Sequence, residues 1–176
     1  MRPGWAFLPA LGGAIAHAPV LRYDLVPGLR RPLAAKAFGA NKTVRGALVM
    51  TGGTVAATAA LHRLPAYRRR LPPQLAAAGP VRHGALLGAA VVLGELPNSA
   101  LKRRIGLAPG EQAGSAWGVA LAVHDQADFV LGAWPLLTPV WRMRPREVAE
   151  AFAVVAGVHL GVNLAGYALG ARSSPL

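Results

Sequence analysis

VAEAFAVVAGVHLGVNLAGYAL, residues 148–169, carries a single formal charge, Glu150, and decides the class of the fold. A helix needs about 20 apolar residues to cross a hydrocarbon core about 30 Å thick, and this run supplies them. Four more apolar stretches precede it, at 5–21, 46–61, 81–96 and 127–141, each set off from the next by a charged or Pro-rich segment. The third and fourth are short for a span; polar residues turned into a bundle and flanking Arg side chains that reach the headgroups would complete them. The expected fold is therefore all-α: a polytopic integral membrane protein of about five transmembrane helices, in one domain over residues 1–176.

Composition agrees. The chain has 176 residues, of which 53% are hydrophobic and 15% charged, against roughly 25% charged in a soluble domain. There is no cysteine, which excludes disulfides, thiolate metal sites and cysteine nucleophiles. The net charge of +12 could suit a nucleic-acid binder, but the basic residues lie between apolar segments, where they meet anionic lipid headgroups. Membrane lipids, and no nucleic acid, are the expected partners. The 5–21 stretch is read as a retained first helix, because Pro9 and Pro19 fit a cleavage site poorly. Five spans would leave nearly equal numbers of Lys and Arg on the two sides, so charge bias does not choose an orientation. Small residues in 52–60 and 84–90 would let helix backbones approach closely.

Chemistry concentrates in one window. The window from GELPNSALKRRIGLAPG (residues 94–110) to DQADF (125–129) holds Glu95, Glu111, Asp125 and Asp128, four of the seven acidic residues, around Lys102, Arg103 and Arg104. Read as a helix, Glu95, Ser99 and Lys102 fall at i, i+4 and i+7 and share a face. Asp125 and Asp128, three apart where the chain turns apolar, would share one side of a helix start near its positive end. N-capping is the simple alternative for Asp125, but it does not explain a second acid one turn deeper. Carboxylates converging beside cations suit metal-assisted handling of phosphates, with Glu95, Asp125 and Asp128 offering hard oxygen ligands to Mg²⁺. A solvated basic face for 102–104 and a headgroup-level ion pair for Glu95 are the plainer alternatives. His17, His62, His83 and His124 show no metal-ligand spacing.

These blocks resemble a known pattern. Residues 94–110 and 125–133 are similar to the G-D-x-x-x-S-x-x-K-R-R-x-G-x-x-x-G and D-Q-x-D-F-x-x-G-A motifs of the CDP-archaeol synthases, integral membrane CTP-dependent cytidylyltransferases related to the phosphatidate cytidylyltransferases. Asn41, Lys42, Thr43, Val44, Arg45 and Gly46 resemble the family's N-K-T-W-R-G. His159, Asn163, Gly166 and Tyr167 resemble its H-x-x-x-N-x-x-G-Y. The four blocks stand in register along nearly the whole chain. Val44 replaces Trp, and Glu95 replaces Asp with one more methylene.

The resemblance implies a reaction in which a glycerol-lipid phosphate attacks CTP and pyrophosphate leaves, in membrane phospholipid synthesis, with Mg²⁺ as cofactor. It implies catalytic roles for Lys102, Arg103, Asp125 and Asp128, and metal binding by Glu95, Asp125 and Asp128. It also implies substrate contacts from Asn41, Lys42, Arg45, Ser99, Arg104, His159 and Asn163. A nucleotide-using site would face the cytoplasm from the inner (cytoplasmic) membrane. The alternatives are a phosphatidate cytidylyltransferase, a non-catalytic lipid-binding relative, or a small transporter with Glu95 as its ion site. No inverted repeat supports the last.

Overall fold

A computed structural model describes residues 3–108, 125 and 128–168, without the side chains of 162, 163, 165 and 166; Glu111 and the Asn163 side chain lie outside the described residues. A 3₁₀ turn at Pro3–Ala6 leads into α1 (Ala10–Arg22), and a second, Pro27–Leu29, precedes the short α2 (Ala35–Phe38). Then come α3 (Val44–His62), the single turn α4 (Pro65–Arg68), α5 (Pro73–Arg104), α6 (Asp128–Leu137) and α7 (Pro145–Ala168). Among the described residues the only β pairing is an isolated bridge between Pro32 and Thr43.

Among the described residues each of the five apolar stretches lies largely on a helix, but the helices are unequal. Both α3, with 19 residues, and α5, with 32, are long and apolar enough to cross a membrane. At about 1.5 Å per residue, the 13 residues of α1 and the 10 described residues of α6 are each shorter than a hydrocarbon core of about 30 Å. Side chains such as Ile15, Leu48, Val81, Leu93, Val154 and Leu164 are exposed on the outside of this assembly, the arrangement lipid tails require.

Local sequence explains where the long helices begin and bend. Thr43 has extended backbone angles, and its Oγ1 accepts the Gly46 N–H at 3.1 Å, an N-cap for α3. Within α5, Gly79 has φ 80° and ψ 168°, a conformation open to glycine and extended as the residue before Pro80 must be. The helix turns there and runs on towards Arg104. Further along, Pro97 has no N–H to give the Leu93 carbonyl, yet the helix continues through it.

The buried faces of α3 and α5 pack together, with Gly84 and Gly88 set against the backbone of Val55 and Thr51, while α1 covers another side of α3 and α6 another side of α5. Thr54 and Thr58 are fully buried in α3, and their hydroxyls donate to the carbonyls of Met50 and Thr54. Both hydroxyls are thereby satisfied within the helix. At the end of α3 near His62, the 64–82 segment, which matches no motif, closes the bundle. The buried Tyr67 donates to the Trp5 carbonyl at 3.1 Å, and the Arg70 guanidinium lies 4.6 Å from the Trp5 ring centroid. His83 Nε2 is 2.9 Å from the Ala6 carbonyl, so it donates there; a neutral His83 then accepts from His62 Nε2 at Nδ1, 3.3 Å away.

Candidate active site

The site forms at the other end of the bundle, where the last turns of α5 meet the first turn of α6. A Cβ on Gly94 would come within 2.6 Å of the Phe129 Cα, and one on Gly132 within 2.5 Å of the Gly94 Cα, so the two backbones touch at glycines. This contact fixes the register. Asn98 lies one turn beyond Gly94 on α5 and Asp128 one turn before Gly132 on α6, and the Asn98 amide Nδ2 donates to Asp128 Oδ2 at 3.4 Å. The same Nδ2 donates to Asp125, which also accepts from the Lys102 ammonium. Asn98 and Asp128 are each only 6% exposed, which matters because a buried carboxylate persists only with partners.

A second element reaches the cluster from the start of α3. Lys42 pairs with Glu95 across 53 positions of sequence, and the bridge at Pro32 and Thr43 braces this segment, with Leu33 N–H donating to the Lys42 carbonyl at 2.8 Å. Arg45 is buried and turned away from the acids of α6: its guanidinium donates to Asp24 Oδ1 at 2.6 Å and to the Leu25 carbonyl at 2.8 Å. These bonds hold a strained corner in which Asp24 and Val26 have φ of 44° and 54°, unusual above all for a β-branched residue. The Arg45 and Arg30 hydrogen bonds hold the Asp24 carboxyl below the usual carboxylate range. His17 on α1 lies beside Gly46 and within electrostatic reach of Glu95, Arg45 and Lys42.

The structure thus gathers Lys42, Glu95, Lys102, Asp125 and Asp128. Ser99 is half-buried on α5 next to Asn98, Arg103 is half-buried, and Asn41 and Arg104 are exposed at the same end. Arg45 sits beneath the site as a brace. His159 lies on an exposed stretch of α7. Three residues that sequence reasoning missed belong here. Asn98 stands three after Glu95 and four before Lys102, the spacing of their shared face, which was signal enough. Asp24 is the lone acid before Glu95, an obvious partner for some buried cation. For His17 the sequence carried no signal.

Among the described residues no three His, Cys, Asp or Glu side chains are grouped as a metal cage. Asp125 and Asp128 nevertheless converge on one amide, and Asp128 lies in the electrostatic reach of both Glu95 and Asp125. Two hard carboxylates fit an ion such as Mg²⁺, which takes one or two from a protein and fills its shell with water and substrate phosphates.

A family model described as CarS-like, CDP-archaeol synthase, matches residues 33–176. The chain is 33% identical to the CDP-archaeol synthase of Halobacterium salinarum over 184 residues, spanning 97% of this chain and 93% of that one. It is 29% identical to the enzyme of that name from Aeropyrum pernix over 178 residues, 96% and 87% of the two chains. With the Methanocella arvoryzae protein of the same name it shares 36% identity over 90 residues, 48% of this chain and 47% of the relative. No solved structure matches.

Proposed function

The chain belongs to the CDP-archaeol synthase family, and from that membership and the geometry of its site we propose that it transfers CMP from CTP to a glycerol-lipid phosphate. The observation that carries this is the meeting of Lys102 and Asn98 on α5 with Asp125 and Asp128. It puts paired acids and a cation at the end of the longest apolar helix, where a lipid headgroup and a soluble nucleotide can meet.

In this reaction an oxygen of the lipid phosphate forms a bond to the α-phosphorus of CTP, and the bond from that phosphorus to the β-phosphate oxygen breaks. Pyrophosphate takes the electron pair. The attacking phosphate monoester is already ionised near neutral pH, so no Ser-His-Asp set is needed to remove a proton. The protein's work is positioning and charge neutralisation. Lys102 and the half-buried Arg103 offer cations to the nucleotide or departing phosphates. Lys42 offers one to the lipid phosphate from the other wall, and Asn41, Ser99 and Arg104 stand near enough to add hydrogen bonds. Asp125 and Asp128, with Glu95 beside them, would hold Mg²⁺, which when bound offsets the negative charge that accumulates on the phosphates.

The nucleotide is a cytosolic metabolite, so on this reading this end of the bundle faces the cytoplasm in a multi-pass protein of the cytoplasmic membrane, with about five spans as the expectation from its five apolar stretches. The headgroup chemistry is common to archaeol phosphate and phosphatidate, and the test offers both. Membranes containing the protein, given labelled CTP, Mg²⁺ and either lipid phosphate, should yield a labelled CDP-lipid. Asp125→Asn and Lys102→Ala should lower the yield by a hundredfold or more, the scale of losing a transition-state contact. Equal labelling by the wild type and both variants would remove the site assignment, and no labelling with any lipid phosphate would remove the activity.

A further inference from the structure

Asn98 stands at a position that the family pattern leaves open, between its acid and its serine, yet its side chain is the hub of the buried cluster. One nitrogen serves two carboxylates: Asn98 Nδ2 donates to Asp125 and, at 3.4 Å, to Asp128. An amide offers two N–H groups and no charge. It can therefore hold two like-charged groups side by side without cancelling either, which a lysine at the same place could not do. Lys102 offsets one of the two acids, and the trio of Asp125, Asp128 and Lys102 keeps one net negative charge.

The other branch of the amide points to what the arrangement holds. Because Nδ2 faces the carboxylates, Oδ1 is fixed as the opposite branch, and this buried oxygen has no hydrogen-bond partner among the described residues. Buried polar atoms in folded proteins are nearly always satisfied. The oxygen on this far branch can accept a hydrogen bond from a water in the shell of a cation whose hard ligands are the two carboxylates.

We propose that Asn98 is the positioning residue that sets the affinity of Asp125 and Asp128 for a divalent cation, by spacing the two carboxylates through the one amide nitrogen that both accept from. This rests on the reading of the acids as the Mg²⁺ site. The side chain acts before substrate arrives, so the effect belongs to cation binding by the protein without nucleotide.

The test uses the purified full-length protein in lipid nanodiscs and Mn²⁺ as the probe, with free Mn²⁺ followed by electron paramagnetic resonance in the absence of CTP. Asn98→Ala should weaken Mn²⁺ binding by about tenfold to a hundredfold, the range for loss of a group that orients metal ligands. Asn98→Ser, a smaller change that keeps one donor, should fall between Ala and wild type and guards against a folding defect in the Ala variant. In transfer assays both variants should need more Mg²⁺ for half-maximal rate and regain most of the wild-type rate at saturating Mg²⁺, a split that loss of packing would not give. Wild-type Mn²⁺ affinity in both variants would overturn the proposal, as would a wild-type protein that binds no Mn²⁺. Mn²⁺ binding weakened as described in a protein that labels no lipid would uphold this inference and remove the proposed activity; transfer with unchanged Mg²⁺ dependence would do the reverse.

Discussion

Lys42 and Lys102 each hold one acid of the site, and both pairs remain partly open to solvent, with side-chain exposures of 24% and 37% for Lys42 and Glu95 and 18% and 37% for Lys102 and Asp125. Pairs of this kind stabilise a fold by no more than about 1 kcal/mol. Their value lies in aiming charge. Glu95→Gln should therefore leave the melting temperature within a few degrees of wild type while lowering transfer at least tenfold, and a parallel melt and rate measurement checks the split. Asp24 differs, since its bonds to Arg45 hold a strained corner. Its folded carboxyl titrates below its ordinary value, so the contribution is whole above about pH 4 and is lost as the pH falls through the lower folded value. Trypsin cutting at Arg22 and Arg30 should be slow at neutral pH and fast in Asp24→Asn. Equal cutting of the two proteins would show that the corner does not depend on this pair. Much of the residue scale was legible: the shared face of Glu95 and Lys102 follows from helical spacing alone. Asn98 shares that face by the same spacing, while the pairing of its amide with two acids follows only from the fold, which brings Asp125 and Asp128 beside it.

At the scale of elements, the crossing of α5 and α6 depends on two glycines that leave no room for a methyl group. Gly94→Ala would force the backbones apart next to Asn98 and Asp128. It should cost about 1–3 kcal/mol, as overpacking does, and should abolish transfer by moving Asp128 itself away from α5; wild-type activity in this variant would show that the register is not set there. Gly79→Ala should also destabilise, by about 1–3 kcal/mol, because alanine does not tolerate φ 80°. That defect lies far from the acids and should leave the rate per folded molecule unchanged. The existence of the helices was plain from apolar runs, whereas their lengths were not: hydropathy cannot show that α5 passes through Pro97 and on to Arg104, well beyond its apolar stretch, because tertiary packing overrides the proline.

For the whole molecule, the two ends of α3 differ in kind. One end, at Thr43, joins the acid cluster; the other, at His62, joins the aromatic and histidine cap around Tyr67 and Trp5. The absence of cysteine makes orientation easy to measure. Ala40→Cys at the first end and Ala66→Cys at the second should react oppositely with a membrane-impermeant maleimide in intact cells, with Ala40→Cys protected until lysis. Labelling of Ala40→Cys in intact cells would place the site outside and remove the proposed use of cytosolic CTP. Sequence made the membrane class legible through its apolar runs, but the near balance of basic residues concealed which end is which.

The pair of Lys42 with Glu95, separated by 53 positions, also has a meaning in time. During synthesis the lysine emerges at the head of α3 long before its acid exists, and an unpaired cation beside an apolar helix resists translocation. On the proposed orientation, Lys42 would for that interval act as an anchor that keeps the head of α3 on the side where the chain is made. Only after α5 has turned back would the same charge become one wall of the proposed site, so that insertion and chemistry would make successive use of a single ammonium group.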